Sequence, residues 1–476
     1  MKNEDTKLGE SEFSMLIDGK LLNSPINMDV LNPANERVAA SVPVADVEQL
    51  NHAVFAAKVA FSTWKKTSLQ QRRDLLAKFA NVIDDNAEEL AQLLTIEQGK
   101  TIKDARDEVM FSSFFCNQLK DIVINDEVLI DDETQRVEIH RRPLGVVAGI
   151  VPWNFPLLIA VYKIAPALIT GNTIIIKPAP TTPMATLRLG VLTKDIFPAG
   201  VLNIIADRND LGPKITAHPD IDKVSFTGST PTGKKIMESA ANTLKRLTLE
   251  LGGNDAAIVL ADADVEQISE DLFNASFMNS GQICICLKRL YVHESLYDDV
   301  CERIGELAKK AIVGDGMADS SQFGPVQNKA QYEKICDYIE GARVNGKIIA
   351  GGEIPQTPGY FIPLTVVKDI KDGTRLVDEE PFGPILPIIK FKDIDDVIER
   401  ANRSDYGLGA SVWSSDLKAA YAVAQQLDSG TVWINKHLDF SPNIPFPPSK
   451  RSGIGVEWGK EGLLEFTAMK VINIKK

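Results

Sequence analysis

Three features of the sequence predict an α/β fold built on parallel sheets. Short apolar runs alternate with helical patterns from about residue 143 to residue 435. Runs such as Ile174-Ile175-Ile176 have no polar alternation, as strands covered on both faces require. The chain has 476 residues, 44% hydrophobic and 25% charged, an ordinary globular composition. That length accommodates roughly three domains of about 150 residues.

The elements follow in order. The N-terminus, "MKNEDTKLGESEF", is polar and acidic with no apolar leader core. The N-terminal third is expected to be helical. Asp46 is placed to cap a helix in which Val47, Leu50, Val54, Ala57, Phe61 and Trp64 step by three and four. Helical patterns continue to about Lys120. "RVEIHRRP" then alternates like an exposed strand. The long apolar stretch from Pro143 to Gly171 is no membrane helix, because Pro152, Asn154, Pro156, Lys163 and Pro166 would lie inside it. It reads as a buried strand, a turn at "PWNFP" and a buried helix. "NTIIIKP", "VLNII" and "KVSFTG" each precede a helical stretch. A second alternating block runs from "AAIVL" to "GTVWIN". The final "EFTAMKVINIK" reads as a strand with no helix after it, an edge that needs a partner, with another subunit as one candidate.

Composition narrows the function. A net charge of −13 argues against nucleic acid as a partner, which would call for a basic surface. The five cysteines are odd in number and form no C-x-x-C pair, which argues against a disulfide framework and a structural zinc site. A cytoplasmic location follows as the expectation. No H-E-x-x-H or paired-histidine spacing appears, so no metal is expected. None of the five histidines stands beside a cysteine or acid in a recognisable pattern.

Five stretches hold the candidate residues. "VSFTGSTPTGKKIM" has the glycine and lysine spacing of a P-loop, yet Lys235 stands where a P-loop needs a hydroxyl for Mg²⁺. "FMNSGQICIC" places Cys284 and Cys286 in a turn before an apolar strand. A free cysteine is more often a buried structural residue, and Cys116, Cys301 and Cys336 fit that description. The turn raises the odds of a nucleophile without separating Cys284 from Cys286. "LTLELGGND" puts the ionisable Glu250 in an apolar run, either a strand-end carboxylate reaching solvent or a general base tuned by burial. "VPWNFP" holds Asn154 between prolines and aromatics, either a turn amide or an oxyanion donor worth ~3 kcal/mol. "EEPFGPI" gives Glu380 and Phe382, by themselves a turn.

Together these segments resemble the NAD(P)-dependent aldehyde dehydrogenase superfamily, over nearly the whole chain. "PWNFP", "IIKP", "FTGST..G", "ELGGN", "F.N.GQ.C", "EE.FGP" and "PF..SK.SG.G.E" come in family order. The resemblance implies a Rossmann-type cofactor domain (residues 1–120 and 143–251), a catalytic α/β domain (252–450) and a small β oligomerisation extension (121–142 and 451–476). It makes "FTGST..G" a dinucleotide turn, where pyrophosphate rests on a helix N-terminus without Mg²⁺.

By the same resemblance Cys284 is the nucleophile, Glu250 the general base and Asn154 the oxyanion amide. Cys286, two places on, is a neighbour. Trp153, Lys177, Gly228, Ser229, Glu380 and Phe382 are the cofactor residues, for NAD or NADP. The implied partners are a small-molecule aldehyde and a second copy of the chain, in a homodimer or homotetramer, with no membrane or nucleic acid. The implied reaction passes through a thiohemiacetal and a thioester on Cys284, which Glu250-activated water hydrolyses. Phe155 and Tyr162 are expected to line the substrate tunnel and Ile283 and Ile285 to flank the nucleophile, favouring an apolar aldehyde. A CoA-acylating enzyme and a non-catalytic protein keeping the fold are the alternatives; Glu250 argues against the first, and Glu250 with Cys284 against the second.

Two positions depart from the family pattern. Pro180 stands where a glutamate often binds the adenosine ribose hydroxyls, which removes an obstacle to NADP⁺ and is expected to leave Lys177 free for its 2′-phosphate. Pro447 and Pro448 replace two glycines and stiffen a loop near the site.

Overall fold

The computed structural model describes residues 13–119 and 121–476; what the sequence led us to expect of residues 1–12 and of Lys120 lies outside them. Two mostly parallel sheets carry the structure. The first has eight strands, in the order Lys20–Leu22, Met15–Ile17, Leu202–Ile204, Thr173–Lys177, Val146–Ile150, Lys223–Thr227, Arg246–Glu250 and Gly453–Ile454. Its five central strands run parallel. Four of them, from Leu202–Ile204 to Lys223–Thr227, are buried at every residue, as expected of strands covered on both faces. Helix Pro156–Ile169 follows Val146–Ile150 and is almost wholly buried, so the apolar stretch is a strand, turn and helix of the core.

The order of these strands places a ligand site. Val146–Ile150 connects outward to Thr173–Lys177 on one side, whereas Lys223–Thr227 begins a run on the other. The strand order therefore reverses between these two adjacent parallel strands, and the crevice beyond their carboxyl ends is where open α/β sheets take ligands. The loops leaving those two ends are Val151–Phe155 and Gly228–Ser229.

The second sheet has seven strands, ordered Lys347–Ala350, Thr365–Lys368, Ile385–Phe391, Leu287–His293, Asp255–Val259, Gly409–Trp413 and Thr431–Ile434. Only the Lys347–Ala350 pairing is antiparallel. Strand Arg246–Glu250 of the first sheet passes through Gly252 and Gly253 directly into Asp255–Val259 of the second. The carboxyl edge of one sheet is thereby set against the amino edge of the other.

Two expectations need correction. The N-terminal third is helical only from Asp46, which caps Val47–Trp64 in a capping box with Gln49. Before it, among the described residues, stand four strands, Met15–Ile17, Lys20–Leu22, Asn27–Asn32 and Arg37–Pro43. The first pair turns at Asp18 and Gly19, both with positive φ, and that Asp-Gly is a hairpin signal visible in "MLIDGKLL". The terminal strand Thr467–Lys475 finds its partner within its own chain, pairing antiparallel with Gln135–Pro143 from Thr467↔Pro143 to Lys475↔Gln135. Glu127–Asp131 completes this three-stranded sheet, whose exposed apolar residues include Val128, Leu129, Met469 and Val471. Among the described residues no helix is long and apolar enough to cross a membrane.

Candidate active site

At the reversal point, Gly228 leaves strand Lys223–Thr227 and donates its N–H to the Glu250 carbonyl at 2.9 Å. Ser229 caps helix Thr230–Ala240, so the positive end of that helix faces the crevice. Lys234 and Lys235 are exposed on the helix rather than wrapped over the turn. A helix N-terminus at this turn suits an anion, and no hydroxyl follows Lys234 as a magnesium nucleotide would need. Trp153 meets the Phe382 ring edge-on at 5.3 Å. Glu380 accepts from the Gly253 N–H at 3.0 Å, and burial raises its pKa against the opposing charge of Lys288.

Lys177, at the end of strand Thr173–Lys177, is not free as expected. Its ammonium is 2.5 Å from Asp207 Oδ1, with both groups buried, and it also donates to the Pro178 carbonyl at 3.2 Å. Asp207 Oδ2 accepts from the Leu211 N–H at 3.0 Å, so this carboxylate is fully engaged. The signal was an acid just past strand Leu202–Ile204, beside Lys177 only once the strands pair.

The segment Gln282–Cys286 precedes strand Leu287–His293 and is held through its carbonyl oxygens. Gln282 O accepts from Asn154 Nδ2 at 2.9 Å. Ile283 O and Cys284 O accept from Lys288 Nζ at 2.6 and 2.8 Å. Ile285 O accepts from His437 Nε2 at 2.8 Å. The histidine tautomer follows from its neighbours: Trp413 Nε1 donates to Ser411 Oγ, whose hydroxyl donates to His437 Nδ1. Burial lowers the His437 pKa to about 4, so the ring is neutral. Sequence reasoning missed both Lys288 and His437, the latter 152 residues from its partner.

Entry to this segment explains "F.N.GQ". Asn279, Ser280 and Gly281 are three successive residues with positive φ. At Gly281 a side chain is impossible, since a Cβ would lie 2.2 Å from the Gly383 carbonyl. Asn279 Nδ2 donates to the Asn154 carbonyl at 3.1 Å, and Gln282 Nε2 donates to the Asn279 carbonyl at 2.9 Å. Burial pushes both Cys284 and Cys286 thiols up to about 12. Exposure separates them instead. Cys284 is half-buried, whereas Cys286 is fully buried with its Sγ 3.8 Å from the Met278 carbonyl.

Asn154 is fixed from behind by a buried ion pair. Lys100 Nζ donates to the Asn154 carbonyl at 3.0 Å and to Glu108 Oε2 at 2.6 Å. Glu108 Oε1 accepts from the Leu157 and Leu158 N–H groups, capping the first turn of helix Pro156–Ile169. One of the two amide hydrogens of Asn154 is committed to Gln282, which leaves the second for a ligand.

Glu250, like Asp255, has an unpartnered carboxyl among the described residues. Its carboxyl is buried, and neither oxygen has a hydrogen-bond partner among the described residues. Burial raises its pKa well above the usual carboxyl value, Glu457 adds to that, and Lys163 opposes it. Lys163 itself donates to Ser225 Oγ at 2.8 Å and to Glu457 Oε1 at 3.2 Å. An unpaired buried carboxyl costs about 1–3 kcal/mol, which marks a group kept for something other than stability. Phe155, Phe440 and Phe446 pack, as Cys284 does, against the buried cluster of Ile283, Ile285, Cys286, Leu408 and Trp433, and Trp458 joins Tyr162, Phe440 and Phe446 at 5.6–5.8 Å between centroids.

A cysteine turn, a buried acid and an amide donor set beside a dinucleotide-type cradle define a nucleotide-dependent oxidoreductase. The chain belongs to the aldehyde dehydrogenase family, whose model matches residues 23–472. It is 38% identical to a phenylacetaldehyde dehydrogenase of Pseudomonas fluorescens, over 97% of this chain and 95% of that one. It is 41% identical to aldehyde dehydrogenase 1A1 of Gallus gallus, over 94% and 90%. Among solved structures, the NAD⁺ complex of an aldehyde dehydrogenase from Bacillus cereus superposes with a TM-score of 0.94 at 36% identity, covering 98% of this chain and 97% of that one. The protein is therefore an aldehyde dehydrogenase acting with NAD(P)⁺ on a small-molecule aldehyde.

The close approach of Gly253 to the cysteine gives a prediction. A Cβ there would lie 2.4 Å from the Cys284 carbonyl oxygen, a backbone atom that cannot step aside alone. Gly253→Ala is expected to lower kcat by about 100-fold, the cost of roughly 1 Å of misplacement, as measured by steady-state NAD(P)H formation. An unchanged kcat would show that the segment tolerates displacement.

Proposed function

We propose that the enzyme oxidises an apolar aldehyde to the carboxylic acid through a thioester on Cys284, which water activated by Glu250 hydrolyses. The observation that carries this reading is the unpaired, buried Glu250 carboxyl in the electrostatic surroundings of Cys284. Once its proton has left to solvent, the Cys284 thiolate adds to the aldehyde carbon, and the oxygen that becomes an alkoxide is held by the second Asn154 N–H and the Cys284 backbone N–H. When bound, NAD(P)⁺ supplies the hydride acceptor that turns the thiohemiacetal into a thioester. The Ser229 helix end would hold the pyrophosphate, Lys177 the adenosine ribose, and Glu380 with Phe382 and Trp153 the nicotinamide half. Glu250 then takes a proton from water as that water attacks the acyl carbon. Because burial favours the neutral acid, Glu250 works as a base only after losing its proton, so deacylation is expected to speed up as pH rises.

The aromatic surround of Phe155, Tyr162, Phe440, Phe446 and Trp458 supports an apolar or aromatic aldehyde. Glu250 speaks against CoA as the acyl acceptor. The division into cofactor domain (1–120 and 143–251), catalytic domain (252–450) and extension (121–142 and 451–476) is kept as a proposal. The bare edges of the three-stranded sheet would join subunits in a dimer or tetramer, in a cytoplasmic setting.

The test is NAD(P)H formation from a panel of aldehydes, with and without CoA. Cys284→Ala is expected to abolish turnover while cofactor still binds, and Cys286→Ala to keep most of it. Exchange of the two outcomes would move the nucleophile, and a requirement for CoA would overturn hydrolysis.

Cofactor choice gives a second test. Asp207 neutralises Lys177, so the ribose pocket has less free positive charge than Pro180 alone implies. NADP⁺ is still expected to be accepted, because Pro180 repels nothing. Pro180→Glu should shift the ratio of specificity constants toward NAD⁺, about tenfold for each 1.4 kcal/mol gained. A wild-type enzyme with no detectable NADP⁺ activity would show that position 180 does not decide the choice.

A further inference from the structure

Lys288 is the one residue of the nucleophile segment's support that carries a fixed charge. It is only 3% exposed, and its ammonium reaches the carbonyls of both Ile283 and Cys284. The same nitrogen lies 3.9 Å from Glu380 Oε1 and 5.7 Å from the centroid of the Phe382 ring. Holding two carbonyls does not require a cation. A glutamine amide has two N–H donors and would avoid the cost of burying an ammonium. The charge therefore has a further use.

The groups facing Cys284 define that use. Glu250 comes from the end of strand Arg246–Glu250, Glu380 from the loop that contacts Gly253, and Asp255 from the start of strand Asp255–Val259. Each, when ionised, opposes a thiolate at Cys284. His437, from the loop after Thr431–Ile434, is neutral. Among the charges that act most on Cys284, Lys288 alone is positive, and it is the largest influence opposing burial. A thiol inside an apolar wall with three acids around it needs a compensating cation if the nucleophilic anion is to form.

We propose that Lys288 is the positioning residue of the nucleophile segment, a buried cation that fixes the Ile283 and Cys284 carbonyls and supplies the positive charge that makes the Cys284 thiolate attainable. It also couples the segment to Glu380, so the nucleophile and the proposed nicotinamide ribose ligand share one electrostatic anchor. This rests on the reading of Cys284 as the nucleophile.

The test is the pH dependence of iodoacetamide alkylation in the full-length enzyme without cofactor, followed at the Cys284 peptide by mass spectrometry and alongside loss of activity. Lys288→Gln keeps donors without charge, Lys288→Arg keeps charge, and Lys288→Met removes both. Gln and Met are expected to alkylate at Cys284 about tenfold or more slowly at a given pH, with the curve of log rate against pH displaced upward by about one unit or more. Arg is expected to overlay the wild type. If Met fails to fold, as thermal melting would reveal, Gln and Arg still decide the matter. A Gln variant that overlays the wild type would overturn the role of the charge. So would equal curves for all the variants that fold. If inactivation of the wild type does not follow alkylation of Cys284, the assignment of the nucleophile itself fails, a result distinct from unmoved curves at a confirmed Cys284.

Discussion

Four consecutive carbonyl oxygens, those of residues 282 to 285, are each bound by a side-chain donor, and the arrangement of the site depends on that constraint. The donors come from different parts of the fold. Asn154 belongs to a loop at the carboxyl edge of the first sheet, Lys288 to strand Leu287–His293 and His437 to a loop of the second sheet. The cysteine turn therefore takes its shape only where the two sheets meet. Lys100 and Glu108 extend the same logic backward, because they hold the Asn154 backbone and the helix that follows it.

The electrostatic character of the site follows from its burial. Glu250, Glu380 and Asp255 are all raised above ordinary carboxyl values by loss of solvent, and Cys284 is raised for the same reason. Burial therefore disfavours the ionised forms of both Cys284 and Glu250. Such a site is poised rather than charged. Thiolate and carboxylate have to be made when substrate, water or cofactor alters the surroundings, and Lys288 and Lys163 are the cations that favour those ionised forms. Asp207 shows the opposite arrangement, its carboxylate engaged by Lys177 and the Leu211 N–H.

Local order was legible in the sequence because it depends on near neighbours. The capping box at Asp46, the buried run at Ile174–Ile176 and the strand–turn–helix around "PWNFP" each follow from a few adjacent residues. Cys284, Glu250 and Asn154 stood out as candidates from their own segments, but their separate roles, and the choice of Cys284 over Cys286, came only from the ordered set of motifs that resembles a family. The pairing of distant groups was not legible. Asn154 and Gln282 are 128 residues apart, and His437 and Ile285 are 152 apart, so neither contact leaves a local pattern. Lys177 illustrates the hazard, since it looked free until strand Leu202–Ile204 brought Asp207 beside it. The hairpin at Asp18–Gly19 does leave a local signal, the Asp-Gly pair between two short apolar runs.

The central chemical claim is a covalent acyl intermediate on Cys284 that Glu250 clears. Intact-mass analysis of Glu250→Gln, mixed with an aldehyde and NAD⁺ and quenched within seconds, tests it most directly. A mass increase equal to the acyl group, located on the Cys284 peptide, is the predicted result, together with a burst of NADH and little further turnover. Wild-type turnover in this variant with no acyl adduct would remove Glu250 from the mechanism and contradict the account.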